Sequence, residues 1–143
     1  MDEIDKKLLV LLTGNARMPL KQLAEKVFLT SPAVSARIER LENAGIITGF
    51  KAIIDPSKLG YHITAFINLS MSPIHKPSFT ECVNQCPNVV ECYNVAGAFS
   101  MLIKVRFPST AELDTFVVSL QKYGKTQTQI VFSSVIKPHQ LDL

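Results

Sequence analysis

Arg37 and Arg40 stand three residues apart, behind a run of small and hydroxyl-bearing residues that includes Thr30, Ser31, Ala33, Ser35 and Ala36. A guanidinium can clamp a guanine edge or a phosphate oxygen, and small side chains let a helix come close to base edges and phosphates. The chemistry on offer is therefore non-covalent recognition of an anionic, hydrogen-bonding surface. A plainer reading exists, in which both arginines form a solvated salt-bridge face with Glu39 and Glu42. Which reading holds depends on the elements that carry these residues.

Those elements favour recognition. From Pro19 to Gly45 the chain reads as two short helices hinged at Phe28–Ser31, with Leu20, Leu23, Ala24 and Val27 at helical spacing before the break and Val34, Ile38 and Leu41 after it. Ser31 is placed to cap the second helix, Pro32 suits its first position, and Gly45 suits its end. Two helices joined by so tight a corner expose one face of the second, which fits the DNA major groove. A further helix over Asp2–Leu12 completes a small bundle through Ile4, Leu8, Leu11 and Leu12, with Asp2 and Asp5 at its positive end. Arg17 lies in the loop Thr13–Met18 and serves either as a phosphate contact or as a clamp on the bundle. Ile46–Ile54 reads as a two-stranded wing whose Lys51 can touch backbone phosphate, and Asp55–Gly60 as a hinge of turn formers. The expected DNA-contacting set is Arg17, Thr30, Ser31, Ser35, Arg37, Arg40 and Lys51, on a winged helix-turn-helix domain spanning residues 1–54.

The 143 residues suffice for one mid-sized domain or two small ones, and 47% apolar against 19% charged residues describes a globular chain with a core. No apolar run approaches the length of a membrane span, and the acidic start MDEIDKK is unlike a signal peptide, so a cytoplasmic location is expected. The net charge is only +3. So small a surplus implies that several subunits act together on DNA. Cys82, Cys86 and Cys92 cannot all pair within one chain, and without a nearby histidine or CxxC pair they read as small buried hydrophobes, with no metal site expected.

The second half has a different rhythm. Tyr61–Met71 alternates as a strand, Pro77–Cys86 turns helical, and Val89–Ala96 and Met101–Phe107 are strands about a Gly97 corner. Thr110–Tyr123 is helical and Thr128–Ile136 is a last strand. The order β-α-β-β-α-β predicts a ferredoxin-like domain over residues 61–143, giving an α+β chain in which both helices cover one sheet face. Apolar residues fall on both sides of the strands: Ile63, Ala65, Ile67 and Leu69 against Phe66 in the first, and Val89, Tyr93 and Val95 against Val90, Cys92 and Ala96 in the second. An uncovered face of that kind predicts burial against another copy, as a homodimer or a larger assembly.

These residues resemble the Lrp/AsnC (feast/famine) family of regulators. The resemblance runs through Asp2, Asp5, Leu8-Leu9, Ala16-Arg17, Leu23-Ala24, Leu29-Thr30-Ser31-Pro32, Val34, Arg37-Ile38, Leu41-Glu42, Gly45-Ile46-Ile47, Asp55-Pro56 and Leu59-Gly60, and then Val95-Ala96-Gly97. It covers essentially the whole chain. It implies a transcription regulator that dimerises through its sheets, often forms octameric rings, and in many members binds an amino acid near the glycine corner of the second domain. By that analogy the effector residues are Gly97, Ala98, Phe99 and Ser100, with Thr126 and Gln127 before the last strand. Amino-acid-sensing members usually carry acidic residues where this chain has Ala98 and Ser100, so a ligand ammonium finds no charge partner there. Backbone N–H groups around Gly97–Phe99 remain to hold a carboxylate. An architectural protein that bends DNA with little sequence preference is the alternative. Catalytic triads, paired carboxylates and nucleotide-binding loops are all missing from the sequence, so no enzyme and no cofactor are expected. The remote exception implied by the resemblance is a sirohaem-decarboxylase-like enzyme using His62 and Arg106, and His75 and His139 complete the scattered histidines.

Overall fold

The computed structural model describes residues 1–136; residues 137–143, His139 among them, lie outside the described residues. The chain divides into two compact units, Met1–Ile53 and a second one beginning at Ile54.

The first unit is three helices: α1 (Glu3–Gly14), α2 (Leu20–Val27) and α3 (Ser31–Asn43). Leu8, Leu12, Leu23, Ala24, Val27 and Val34 form its core, with Ile4, Leu11, Met18, Leu29, Ile38 and Ile47 packed around it. Both α2 and α3 end in the same hydrogen-bond pattern. After α3, Gly45 (φ +70°) donates to the Glu42 carbonyl and Ile46 to the Leu41 carbonyl, each at 2.9 Å. After α2, Phe28 and Leu29 donate to the Glu25 and Ala24 carbonyls, and Phe28 takes the left-handed conformation (φ 56°) that glycine takes after α3. The cap of α3 differs by one residue from expectation: Thr30, not Ser31, accepts from the Ala33 N–H, at 3.4 Å.

The wing expected over residues 46–54 is not built from strands in this chain. Ile46 and Ile47 both donate to the Leu41 carbonyl, so the helix end uses the N–H groups that the first arm of a hairpin would need. Ile53 is fully exposed and Ile54 largely so.

The second unit opens with a 3-10 turn, Pro56–Leu59, capped by the Asp55 carboxylate on the Ser57 N–H. There follow β1 (Ile63–Met71), a second 3-10 turn, α4 (Lys76–Gln85), β2 (Val89–Asn94), β3 (Met101–Phe107), α5 (Thr110–Leu120) and β4 (Gly124–Ile130). The strands form one antiparallel sheet in the order β2-β3-β1-β4. Ala65, Ile67, Leu69, Ile103 and Val105 are inaccessible or nearly so beneath Phe79, Val83, Leu113, Phe116 and Leu120 of the two helices. The ring pair Phe107–Phe116 (5.5 Å) ties α5 to the sheet, and Phe79–Tyr123 (5.6 Å) ties α4 to the turn before β4.

Two details of the sheet correct the sequence reading. The last strand is Gly124–Ile130, not Thr128–Ile136. Gly124 faces Met71 in the ladder, and a Cβ there would sit 1.8 Å from the Ser70 carbonyl oxygen, so the strand starts where only glycine fits. The second correction is in β2, where a bulge between Val89 and Glu91 reverses the alternation. Val89 faces Val105 on the helix side while Tyr93 faces Leu102 on the open side, so these two lie on opposite faces, and Val95 and Ala96 fall beyond the strand. The open face is thereby more polar than expected. Phe66, Leu102 and Tyr93 share it with Glu91, Lys104, Arg106, Gln127 and Gln129.

Candidate nucleic-acid interface and effector corner

Asp2 and Asp5 do more at the start of α1 than offset a helix dipole. Asp2 caps the helix by accepting from the Asp5 N–H at 2.8 Å, and Asp5 accepts from the Asp2 N–H at 3.0 Å. Asp5, with a side chain 1% exposed, is at the same time the anchor of α3. Arg37 Nη1 donates to Asp2 Oδ2 at 2.7 Å and to Asp5 Oδ1 at 2.8 Å. Arg40 Nη2 donates to both Asp5 oxygens, at 3.0 and 2.9 Å. A carboxylate shielded from water is thus satisfied by one backbone N–H and two guanidinium groups, which is the condition for a charge to stay inside.

The titration of the cluster follows from these bonds. The backbone N–H of Asp5 and then the Arg37 guanidinium pull Asp2 down from the usual 3.8 to about 2. Asp5 is lowered first by the Asp2 N–H, against the opposing effect of burial, and then by Arg37 and Arg40. Its two carboxylate bonds raise Arg37, the one to Asp2 first.

The structure therefore brings Arg37 and Arg40 together, but against α1 and not against Glu39 and Glu42. Arg37 is mostly covered, whereas the Arg40 side chain is 62% exposed and commits one terminal nitrogen, leaving the rest of its fork facing outward. Pro32, Ser35, Ala36, Glu39, Glu42 and Asn43 make up the rest of the solvent face of α3, with Ser31 half-buried at its start. Thr30 is exposed, its hydroxyl oxygen serving the cap. Arg17 and Lys51, and Lys21 and Lys26 on α2, are exposed and make no ion pair among the described residues. The residues that sequence reasoning missed are Asp2 and Asp5 as partners of α3. The signal was present: two acids three apart at one helix start, and two arginines three apart on another helix.

In the second unit, Gly97 (φ 131°) turns the chain between β2 and β3, with Ala98 exposed and Phe99 half-buried. Among the described residues, no backbone acceptor takes the N–H of Gly97, Ala98 or Phe99. Ser100 is otherwise engaged: its hydroxyl accepts from the Met71 N–H at 3.0 Å and donates to the Leu69 carbonyl at 3.1 Å, and its own N–H also goes to Leu69. Thr126 and Gln127 lie within β4, not before it, opposite Leu69 and Asn68. Adjacent strand residues point to opposite faces, so Thr126 joins the helix side and Gln127 the open side, and the two cannot line one site. Cys82 and Cys86 pack against the core beside Phe79 and Val83.

A helix-turn-helix bundle with a braced, partly cationic second helix, followed by a βαββαβ domain, defines a two-part DNA-binding regulator. Residues 1–48 match the model of a winged helix-turn-helix DNA-binding domain, and residues 64–141 that of the Lrp/AsnC ligand-binding domain. The chain belongs to the Lrp/AsnC family and is an HTH-type transcriptional regulator. It is 38% identical over 132 residues to the HTH-type transcriptional regulator LrpA of Bacillus subtilis, covering 92% of this chain and 97% of that one. Among solved structures it is similar to B. subtilis LrpC (TM-score 0.90, 26% identity, 96% and 99% of the two chains covered). It is equally similar to the regulator NMB0573 of Neisseria meningitidis in complex with L-methionine (TM-score 0.90, 26% identity, 100% and 96% covered).

Proposed function

We propose that residues 1–54 bind DNA with α3 in the major groove, that residues 55–60 act as the hinge, and that residues 61–143 form the dimerisation and effector domain. Ser31 and Ser35 approach base edges, and Thr30, Arg17 and Lys51 hold phosphates. Arg40 reaches a phosphate or a guanine with the outward part of its fork, while Arg37 acts by fixing α3 against α1. The observation that carries the reading is the solvent face of α3, small at Ser35 and Ala36, on a helix locked at its middle to Asp5.

Two copies paired through their open sheet faces would present two such helices to a palindromic site. The effector is a small amino acid whose carboxylate is taken by the N–H groups of Gly97–Phe99, as support for which one structural neighbour is a complex with L-methionine. Ser100 and Gln127 have no part in that site. The protein works where the chromosome lies, in the cytoplasm, and performs no catalysis.

The test is a salt titration of binding to tiled promoter fragments, beginning upstream of the protein's own gene. Tight binding to a few fragments supports a sequence-specific regulator. Equal binding to all of them would replace it with an architectural role.

A further inference from the structure

The helix side of the second unit, opposite the sheet face proposed to pair with a second copy, carries an open cleft of about 440 Å³. Glu81, Cys82, Gln85 and Cys86 line it from α4 and its cap, and Lys122 and Tyr123 from the turn before β4. Cys82 and Cys86 are free thiols, half-buried against the core, and neither makes a hydrogen bond among the described residues. Cys92 stands on β2 and does not line the cleft.

Spacing decides what such a pair can hold. Residues four apart on a helix share a face, with Cβ atoms about 5–6 Å apart. Cys86 ends α4, yet its φ of −91° and its N–H bond to the Val83 carbonyl at 3.3 Å keep it close to that geometry. A disulfide needs Cβ atoms about 3.5–4.5 Å apart, so the helix holds these thiols too far apart to bond to each other. It leaves room for one atom between them, since two metal–thiolate bonds of about 2.3 Å in line span about 4.6 Å. Among the described residues no group of three or more His, Cys, Asp and Glu is placed to hold a metal, which excludes a four-ligand zinc site there. Two thiolates alone suit a soft ion content with two ligands, and copper(I) is such an ion. Two thiolates around a monovalent cation leave a single negative charge, and Lys122 stands in the same wall to meet it. Glu81, the one acid of that wall, is exposed and accepts from the Gln85 amide at 3.2 Å.

We propose that Cys82 and Cys86 form a two-coordinate site for a soft monovalent cation of the copper(I) type, with Lys122 balancing the charge. Binding exchanges ligands without electron transfer: copper(I) leaves its carrier, two Cu–S bonds form, and each thiol releases its proton to solvent. The bound ion clips the last turn of α4 to its cap. The site uses no residue of α3 or of the Gly97 corner and does not rest on the DNA reading.

The test presents the reduced full-length chain, in the absence of air, with copper(I) held by bicinchoninate, and reads the colour lost as the protein takes the metal. Uptake of one copper per chain is expected. Cys82→Ser and Cys86→Ser each abolish it, Cys92→Ser leaves it unchanged, and Lys122→Gln weakens it by roughly threefold, the size of one exposed charge pair. A second measurement needs no variant to fold: in the unmutated chain, bound copper slows alkylation of Cys82 and Cys86 by iodoacetamide and not that of Cys92, read by peptide mass. The proposal is overturned if the chain takes no copper from bicinchoninate, if either of the Cys82 and Cys86 variants takes it up like the parent, or if copper shields Cys92 equally. One copper for every two chains would overturn it too, since the ion would then lie between copies. Unchanged affinity in Lys122→Gln would remove the lysine from the site.

Discussion

Replacing Asp5 by asparagine tests whether the recognition helix is held from α1. The substitution keeps the shape and one acceptor oxygen but removes the charge, and its NH2 group faces two guanidiniums that need acceptors. Breaking a deeply buried pair by removing one partner costs about 3–5 kcal/mol, and an exposed pair is worth about 0–1 kcal/mol. Asp5 lies between these limits. It is 1% exposed, yet its cover is two arginine side chains at the surface of a small bundle, and Arg40 at 62% exposure can return to water. A loss of about 2 kcal/mol follows, which in a unit of this size lowers the melting midpoint by roughly 10 °C. Urea and thermal unfolding of the full chain, followed by far-UV dichroism, reads it directly. Arg40→Gln combined with Asp5→Asn should cost less than the sum of the two, because the first change also removes the need for the charge. Strict additivity, or a single-mutant loss under about 0.5 kcal/mol, would refute the brace.

The same cluster fixes an acid limit. Both folded carboxylates titrate below their unfolded value, so their contribution is complete above the usual 3.8 and is lost as pH falls through the folded values, for Asp2 toward about 2. Helical signal from the first unit should therefore fall away between these pH values in the parent and lose much of that dependence in Asp5→Asn.

Phe28→Gly should raise stability by about 0.5 kcal/mol in urea unfolding, because relief of the left-handed strain outweighs the added chain entropy and the loss of the Lys7–ring contact at 5.6 Å. Ser100→Ala leaves the Met71 N–H without its acceptor and should cost about 1–2 kcal/mol, a loss that Ser100→Thr partly avoids if the hydroxyl keeps its place. Gly124→Ala pushes a Cβ into the Ser70 carbonyl and should cost about 3 kcal/mol or more, read as loss of the soluble folded chain or a collapse of its melting midpoint.

The features legible in the sequence were those with a period or a terminus. Val34, Ile38 and Leu41 marked α3, Gly45 marked its end, and the β-α-β-β-α-β order gave the second domain. Register and side-chain commitment were not legible. One extra residue at the β2 bulge turned Tyr93 to the other face, and no local pattern reports a bulge before its partner strand is known. The last strand was misplaced because Gly124 looks like a turn former, while its small size is what lets the strand start against Ser70. Arg37 and Arg40 have the composition of a DNA-reading face, and their partners lie 32 or more residues away in the chain. Composition counts charges, but only the fold shows which of them are already paired.

That distinction has a consequence for how many copies bind DNA together. Residues 14–54 hold six cations: Arg17, Lys21, Lys26, Arg37, Arg40 and Lys51. Two of them are bonded to Asp2 and Asp5, which leaves Arg17, Lys21, Lys26 and Lys51 without an ion pair among the described residues. Each phosphate neutralised contributes about −0.9 to the slope of log K against log salt, so these four give one copy about −3.6, and the exposed Lys7 of α1 and the outward part of Arg40 bring it to at most about −5.4. A measured slope near −7 to −9 would require two copies on one site, and Lys51→Ala would then flatten it by about 2, one unit for each copy. A slope that stays near −4 at every protein concentration would mean that single copies bind, and the proposed pairing through the open sheet faces would lose its role in DNA recognition.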